Sequence, residues 1–163
     1  MIGNAYLADI RVQFEKVKTL AERALAQVSD AELLATLDPE SNSLATIVKH
    51  MAGNLRSRFT EFLTTDGEKR DRNRDGEFES PDASRAALVQ RWEAGWEILF
   101  ATLCTLTADD LLREVTIRGE RMPVIQALNR ALSHQAQHAG QIVFLAKHLR
   151  SSDWTTLSIP RRR

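Results

Sequence analysis

Apolar positions along the chain fall mostly into runs of helical spacing. Ile10, Phe14, Val17, Ala21, Ala24 and Val28 recur in steps of three and four, which predicts an amphipathic helix over roughly the first thirty residues. Asp38-Pro39 interrupts that pattern. Ser41 or Ser43 can cap a second helix, whose stripe is Leu44, Ile47, Met51, Leu55, Phe59 and Phe62. Thr65 to Asp82 is polar and dense in charge, the composition of a loop. Pro81-Asp82 suits the start of a third helix, with Asp82 as its cap and Leu88, Trp92, Trp96, Leu99 and Leu103 on its inner face. Thr107-Ala108-Asp109-Asp110 reads as a short capped helical turn. Val115 and Ile117 alternate with polar neighbours before Arg118-Gly119-Glu120, so a short extended hairpin is expected there. Pro123 fits the first position of a last long helix carrying Ile125, Leu128, Leu132, Gln135, Ala139, Ile142 and Ala146. Trp154, Leu157 and Ile159 predict a tail that packs back on the body before Pro160.

Four long amphipathic helices with modest connections predict an all-α fold, a four-helix bundle with a short hairpin before its last helix. The 163 residues suffice for one domain, 1–163, with 151–163 as the packed tail. Lys and Arg number 22, matching 22 Asp and Glu, so no net charge draws the chain to nucleic acid or to an anionic membrane. The basic run Arg161-Arg162-Arg163 reads as a solvated terminus. A single cysteine, Cys104, excludes an intramolecular disulfide, and its apolar run Leu99 to Cys104 predicts a buried small side chain. No segment approaches the ~20 apolar residues of a membrane span, and the N-terminus lacks a signal-peptide pattern. The expected location is the cytoplasm.

The histidines change this bland picture. His134 and His138 are spaced i, i+4, which on a helix stacks their side chains about 6 Å apart along one face. Two imidazoles so placed can converge on one divalent ion, and a facing helix must supply the third ligand. His50, beside the Ile47/Met51/Leu55 stripe, is the natural candidate. His148 lies about 15 Å further along the last helix, next to Lys147 and near Arg150, where a cation suits the helix C-terminus. Gln135 stands where a zinc-protease helix carries its Glu, so peptidase chemistry is not expected. Asn54, Arg58 and Gln141 follow the histidines at helical spacing. An amide can orient a bound water and an Arg can hold a substrate carboxylate; alternatively Arg58 lies on the solvated rim and Asn54 satisfies a core hydrogen bond.

Two other patterns compete for function. Asp71-x-Asn73-x-Asp75-Gly76 matches the opening of a calcium loop, but Asp82 would sit where a bidentate Glu is usual and Arg72 and Arg74 lie between the ligands. A salt-bridged, solvated loop is the expected outcome. Trp92 and Trp96 form an i, i+4 pair best read as core packing.

Two segments carry a resemblance: Ile47-Val48-Lys49-His50-Met51-Ala52-Gly53-Asn54, and Leu132 to Ile142 with its His134-x-x-x-His138. With the bundle order, they resemble the DinB-like (YfiT-like) metalloenzyme superfamily over nearly the whole chain. Phe62 to Lys69, Arg72 to Phe78 and Trp154 to Pro160 look like one branch of uncharacterised bacterial members. The resemblance implies a homodimer holding zinc, nickel or a similar divalent metal on His50, His134 and His138. Some members are transferases or isomerases that use a low-molecular-weight thiol (bacillithiol, mycothiol or glutathione); others have no known activity. Three histidines would leave coordination positions open, which favours thiol-transfer or hydrolytic chemistry on a small molecule. The competing expectation is a non-catalytic dimer with a structural or vestigial metal.

Overall fold

In the computed structural model of the chain, residues 2–79 and 84–159 are described. Among them are five α-helices and one two-stranded hairpin. The helices are α1 (Ile2–Leu25), α2 (Asp30–Leu34), α3 (Leu44–Phe59), α4 (Arg85–Thr105) and α5 (Val124–Arg150). The strands are β1 (Glu114–Ile117) and β2 (Glu120–Pro123). α3 lies along α4 and α1 along α5, while α3 also meets α5 and α1 meets α4. One apolar cluster fills the space between them. No helix among the described residues is long and apolar enough to cross a membrane.

The first predicted helix is divided. α1 buries Ile10, Phe14, Ala21 and Ala24 but ends at Leu25, and Val17 is only half-buried. Ser29 then starts α2 with a capping box: its Oγ accepts from Glu32 N at 3.3 Å, and its own N–H donates to Glu32 Oε2 at 2.7 Å. This Ser-x-x-Glu signature was readable in the sequence, but the apolar steps run across it. Val28, outside both helices, is still buried.

α3 is the central helix, buried along almost its whole length. Ser43 caps it, accepting from Thr46 N at 3.1 Å, while Ser41 instead donates to Asp38 at 2.6 Å. α4 packs closely on α3 because Gly95 faces Ala52: a Cβ there would lie 2.9 Å from the Ala52 carbonyl oxygen. Ser84 is the observed α4 cap; Pro81 and Asp82 lie outside the described residues, as do Pro160 and the terminal arginines. All five apolar residues expected inside α4 are buried, and Trp92 Nε1 donates to Glu22 at 2.9 Å. Cys104 corrects its expectation: it is exposed on the outer face of α4, where Arg11 approaches its Sγ at 3.6 Å. An apolar run on a helix turns through the surface as well as the core, so the run alone does not bury its last member.

The short turn after α4 is a 3₁₀ segment, Ala108–Leu112, with Thr107 and Asp110 forming a capping box. β1 and β2 pair antiparallel, Val115 opposite Met122 and Ile117 opposite Glu120. Arg118 and Gly119 form the turn with φ of 56° and 77°, and the Asp66 carboxylate accepts both of their backbone N–H groups at 2.8 Å. Pro123 ends β2 and caps α5, one residue before the helix it was expected to begin. The inner face of α5 includes Ala127, Ala131 and Leu145, while Ile125 and Leu132 are only half-buried. In the tail, Trp154 and Leu157 pack on the core, and Thr155 N and O both bond the Gln27 amide. Ile159 does not follow them, being 93% exposed.

Candidate metal centre

α3 presents His50 from one side and α5 presents His134 and His138 from the other, with one helical turn between the α5 pair. His50 Nε2 lies 3.2 Å from His134 Nε2, and His134 Nε2 lies 3.2 Å from His138 Nε2. One nitrogen from each ring falls within 4.8 Å of the others, and among the described residues no further group of His, Cys, Asp or Glu converges in this way. A four-coordinate ion with metal–nitrogen bonds near 2.0–2.1 Å would set its nitrogens about 3.3–3.4 Å apart. The two measured separations come close to that spacing. His148 is exposed near the end of α5, away from the cluster, as its sequence position implied.

Two rings are aimed by their other nitrogens. His50 Nδ1 meets Glu77 Oε2 at 2.9 Å, and His138 Nδ1 meets Gln141 Oε1 at 2.7 Å. An ionised carboxylate or an amide oxygen only accepts, so each Nδ1 is the protonated nitrogen and each Nε2 turns a lone pair toward the cluster. Lone pairs facing each other at this distance repel unless a proton or a cation lies between them. This donor arrangement is the outer-shell device that orients metal-binding histidines. His134 is the exception: its Nδ1 is buried without a partner among the described residues.

Glu77 is the site residue that sequence reasoning missed. It comes from the polar loop, in a 3₁₀ turn Asp75–Glu77, and Arg72 grips it with Nε and Nη2 at 2.8 Å each. Gly53 makes room for it: a Cβ at that position would lie 2.1 Å from Glu77 Oε1. A glycine inside a buried helix, three residues after a histidine, was the available signal, because an interior helical glycine is costly unless something needs the space. Phe78 follows and lies against the His50 ring, centroids 4.9 Å apart, and the Arg74 guanidinium carbon lies over the Phe78 ring, 5.2 Å from its centroid. The calcium-loop pattern does not assemble among the described residues. Asp71 faces Arg56, Asn73 Oδ1 accepts from Gly76 N, and Asp75 is exposed beside Arg74.

Burial pushes His134 down to about 3, with the neighbouring histidines and the charges of Arg58 and Arg72 acting the same way. Burial also lowers His138, against the hydrogen bond that it donates to Gln141. Both are therefore neutral, the form that binds a metal. Burial would raise the Glu77 carboxyl, but the hydrogen bonds of His50 and Arg72 and the Arg72 charge outweigh it, holding Glu77 below the usual carboxylate range.

Asn54 and Arg58 continue the His50 face of α3 and line a cavity of about 180 Å³ that also touches His50 and His134. Asn54 Oδ1 accepts from the buried Gln135 at 3.4 Å. Arg58 is itself buried; its guanidinium donates to the Gly67 carbonyl and to Glu68. Gln141 touches the site through His138.

A mostly helical protein with three histidines placed to hold a metal ion is the class that fold and site define. The chain belongs to the family described as "Protein of unknown function (DUF1572)", whose model matches residues 1–163. A search of curated proteins finds no match.

Proposed function

We propose that the chain is a DinB-like helical-bundle protein that binds one divalent metal, zinc or nickel, on His50, His134 and His138, and uses it on a small-molecule substrate. The observation that carries this reading is the convergence of three Nε2 atoms, two of them turned inward by Glu77 and Gln141. Three histidine ligands beside a cavity favour an open site over a closed structural one. A metal held there would supply the Lewis acidity that ionises a thiol or a water near neutral pH. The residues around it have separate tasks. Glu77 and Gln141 fix ring orientation, Arg72 holds Glu77, and Asn54 offers an amide to whatever occupies the cavity. Thiol S-transfer is the favoured chemistry, with a low-molecular-weight thiol as co-substrate, and hydrolysis is second.

The test begins with metal analysis of the purified chain. About one equivalent is expected, and His134→Ala should lose it; protein without bound metal that also fails to take up added zinc or nickel would overturn the reading. A screen of bacillithiol, mycothiol and glutathione against electrophiles then addresses the chemistry. A second reading, a non-catalytic homodimer with a structural or vestigial metal in the cytoplasm, is favoured by Gln135. This residue stands beside His134 where a general base would be useful, yet it is fully buried. Loss of thermal stability on chelation, with no turnover in the screen, would support it.

A further inference from the structure

The cavity beside the histidines has a strongly basic lining. Five arginines line it (Arg58, Arg72, Arg74, Arg118 and Arg130), and among the described residues no carboxylate does. Two acids serve three of these arginines from behind. Glu68 pairs with Arg58 at 3.0 Å, Arg72 at 3.3 Å and Arg118 at 2.7 Å; Glu77 pairs with Arg72 and also serves His50. The remaining two are held loosely. Among the described residues, Arg74 and Arg130 have only Asp75 and Glu120 within ion-pair reach, each at 3.6 Å; those acids are 89% and 72% exposed, and Arg74 also lies over the Phe78 ring. Such exposed pairs contribute little, so both guanidiniums are available to a ligand.

Phe59, Phe62, Ile117, Ala127 and Ala131 give the same cavity an apolar part of its lining. Its volume is about 180 Å³. We propose that this cavity is an anion subsite: it takes a small substrate whose carboxylate or phosphate is held by Arg74 and Arg130 and whose short apolar body lies on Phe59 and Phe62, next to the histidines. Arg58 and Arg72, already committed, supply field and shape. Planar guanidiniums suit both anion types because each offers paired N–H donors. The proposal deepens the metal reading by naming a substrate class, but the arginines would hold an anion with or without a metal.

Calorimetry on the full-length protein tests this, using inorganic phosphate and malonate as probes at low ionic strength. Both EDTA-stripped and zinc-loaded protein are titrated, for the wild type and for an Arg74→Ala/Arg130→Ala double variant. Both side chains are about half exposed, so the variant should fold, which helical circular dichroism checks. At least one probe should bind stripped protein, and the double variant should bind it at least tenfold more weakly while zinc stoichiometry is unchanged. The relative affinity of the two probes distinguishes a phosphate from a carboxylate substrate. If neither probe binds, the proposal falls. It also falls if binding requires zinc and the double variant does not weaken it, since the anion is then only a metal ligand. If arginine-dependent binding is seen in a protein that never takes up zinc, the metal reading fails and the anion subsite stands.

Discussion

At the scale of single residues, Glu77 and Gly53 decide how well His50 is aimed. Glu77→Gln keeps the size but replaces a charged acceptor with a neutral amide, and removal of such an outer partner typically costs 10–100-fold in metal affinity. Zinc titration against a competing chelator should show a loss in that range, while His148→Ala should change nothing. Gly53→Ala should weaken binding in the same direction, because its methyl group occupies the path of the Glu77 carboxylate. If Gly53→Ala binds zinc as tightly as the wild type, Glu77 does not position His50.

Among the elements, the hairpin and the loop before the 3₁₀ turn are tied together by Asp66. Its carboxylate accepts from the backbone of Glu68 at 2.7 Å and of Arg118 and Gly119 at 2.8 Å, which stabilises the left-handed Arg118. Burial would raise its pKa, but these backbone hydrogen bonds prevail and lower it. A carboxyl whose folded pKa is depressed adds stability that is present above its ordinary value of about 3.9 and is lost as the pH falls through the folded value. Asp66→Ala should therefore cost about 1–3 kcal/mol at pH 7 by denaturant unfolding, with the difference from wild type shrinking toward pH 3. In α2, Ser29→Ala removes one half of a capping box and should cost about 1 kcal/mol.

For the whole molecule, a bound metal and a change of pH would act on the same cluster. Free zinc at about a thousand times its dissociation constant would stabilise the fold by roughly 4 kcal/mol. For a chain of this length that corresponds to a fall in Tm of about 8–16 °C on chelation, measurable by thermal unfolding. Metal-free protein has its own pH dependence. His134 titrates near 3 when folded, against about 6.5 unfolded, so the unfolded state takes up the proton first. Stability of the stripped protein should hold above pH 6.5 and decline as the pH falls below it. His134→Gln should flatten that decline.

Local periodicity was sufficient for the long helices, the hairpin and the histidine pair, since each depends on residues close in sequence. His134 and His138 share a face because an α-helix turns once in 3.6 residues, and Val115 and Ile117 share one because a strand alternates. The stripe around Met51 likewise put His50 toward the interior. Other features were set by contacts between distant segments. The break after Leu25 depends on a cap that competes with a continuing apolar pattern, and the exposure of Cys104 on which side of α4 meets its neighbours. Glu77 reaches His50 across 27 positions, from a loop that reads in sequence only as salt-bridged and solvated. Arg74 and Arg130 meet at one cavity only because that loop and α5 fold over the same end of α3. Sequence by itself determined which residues could bind a metal; the tertiary structure decided what aims them and which charges surround the space beside them, because hydrogen-bond partners and electric fields depend on distance in space, not along the chain.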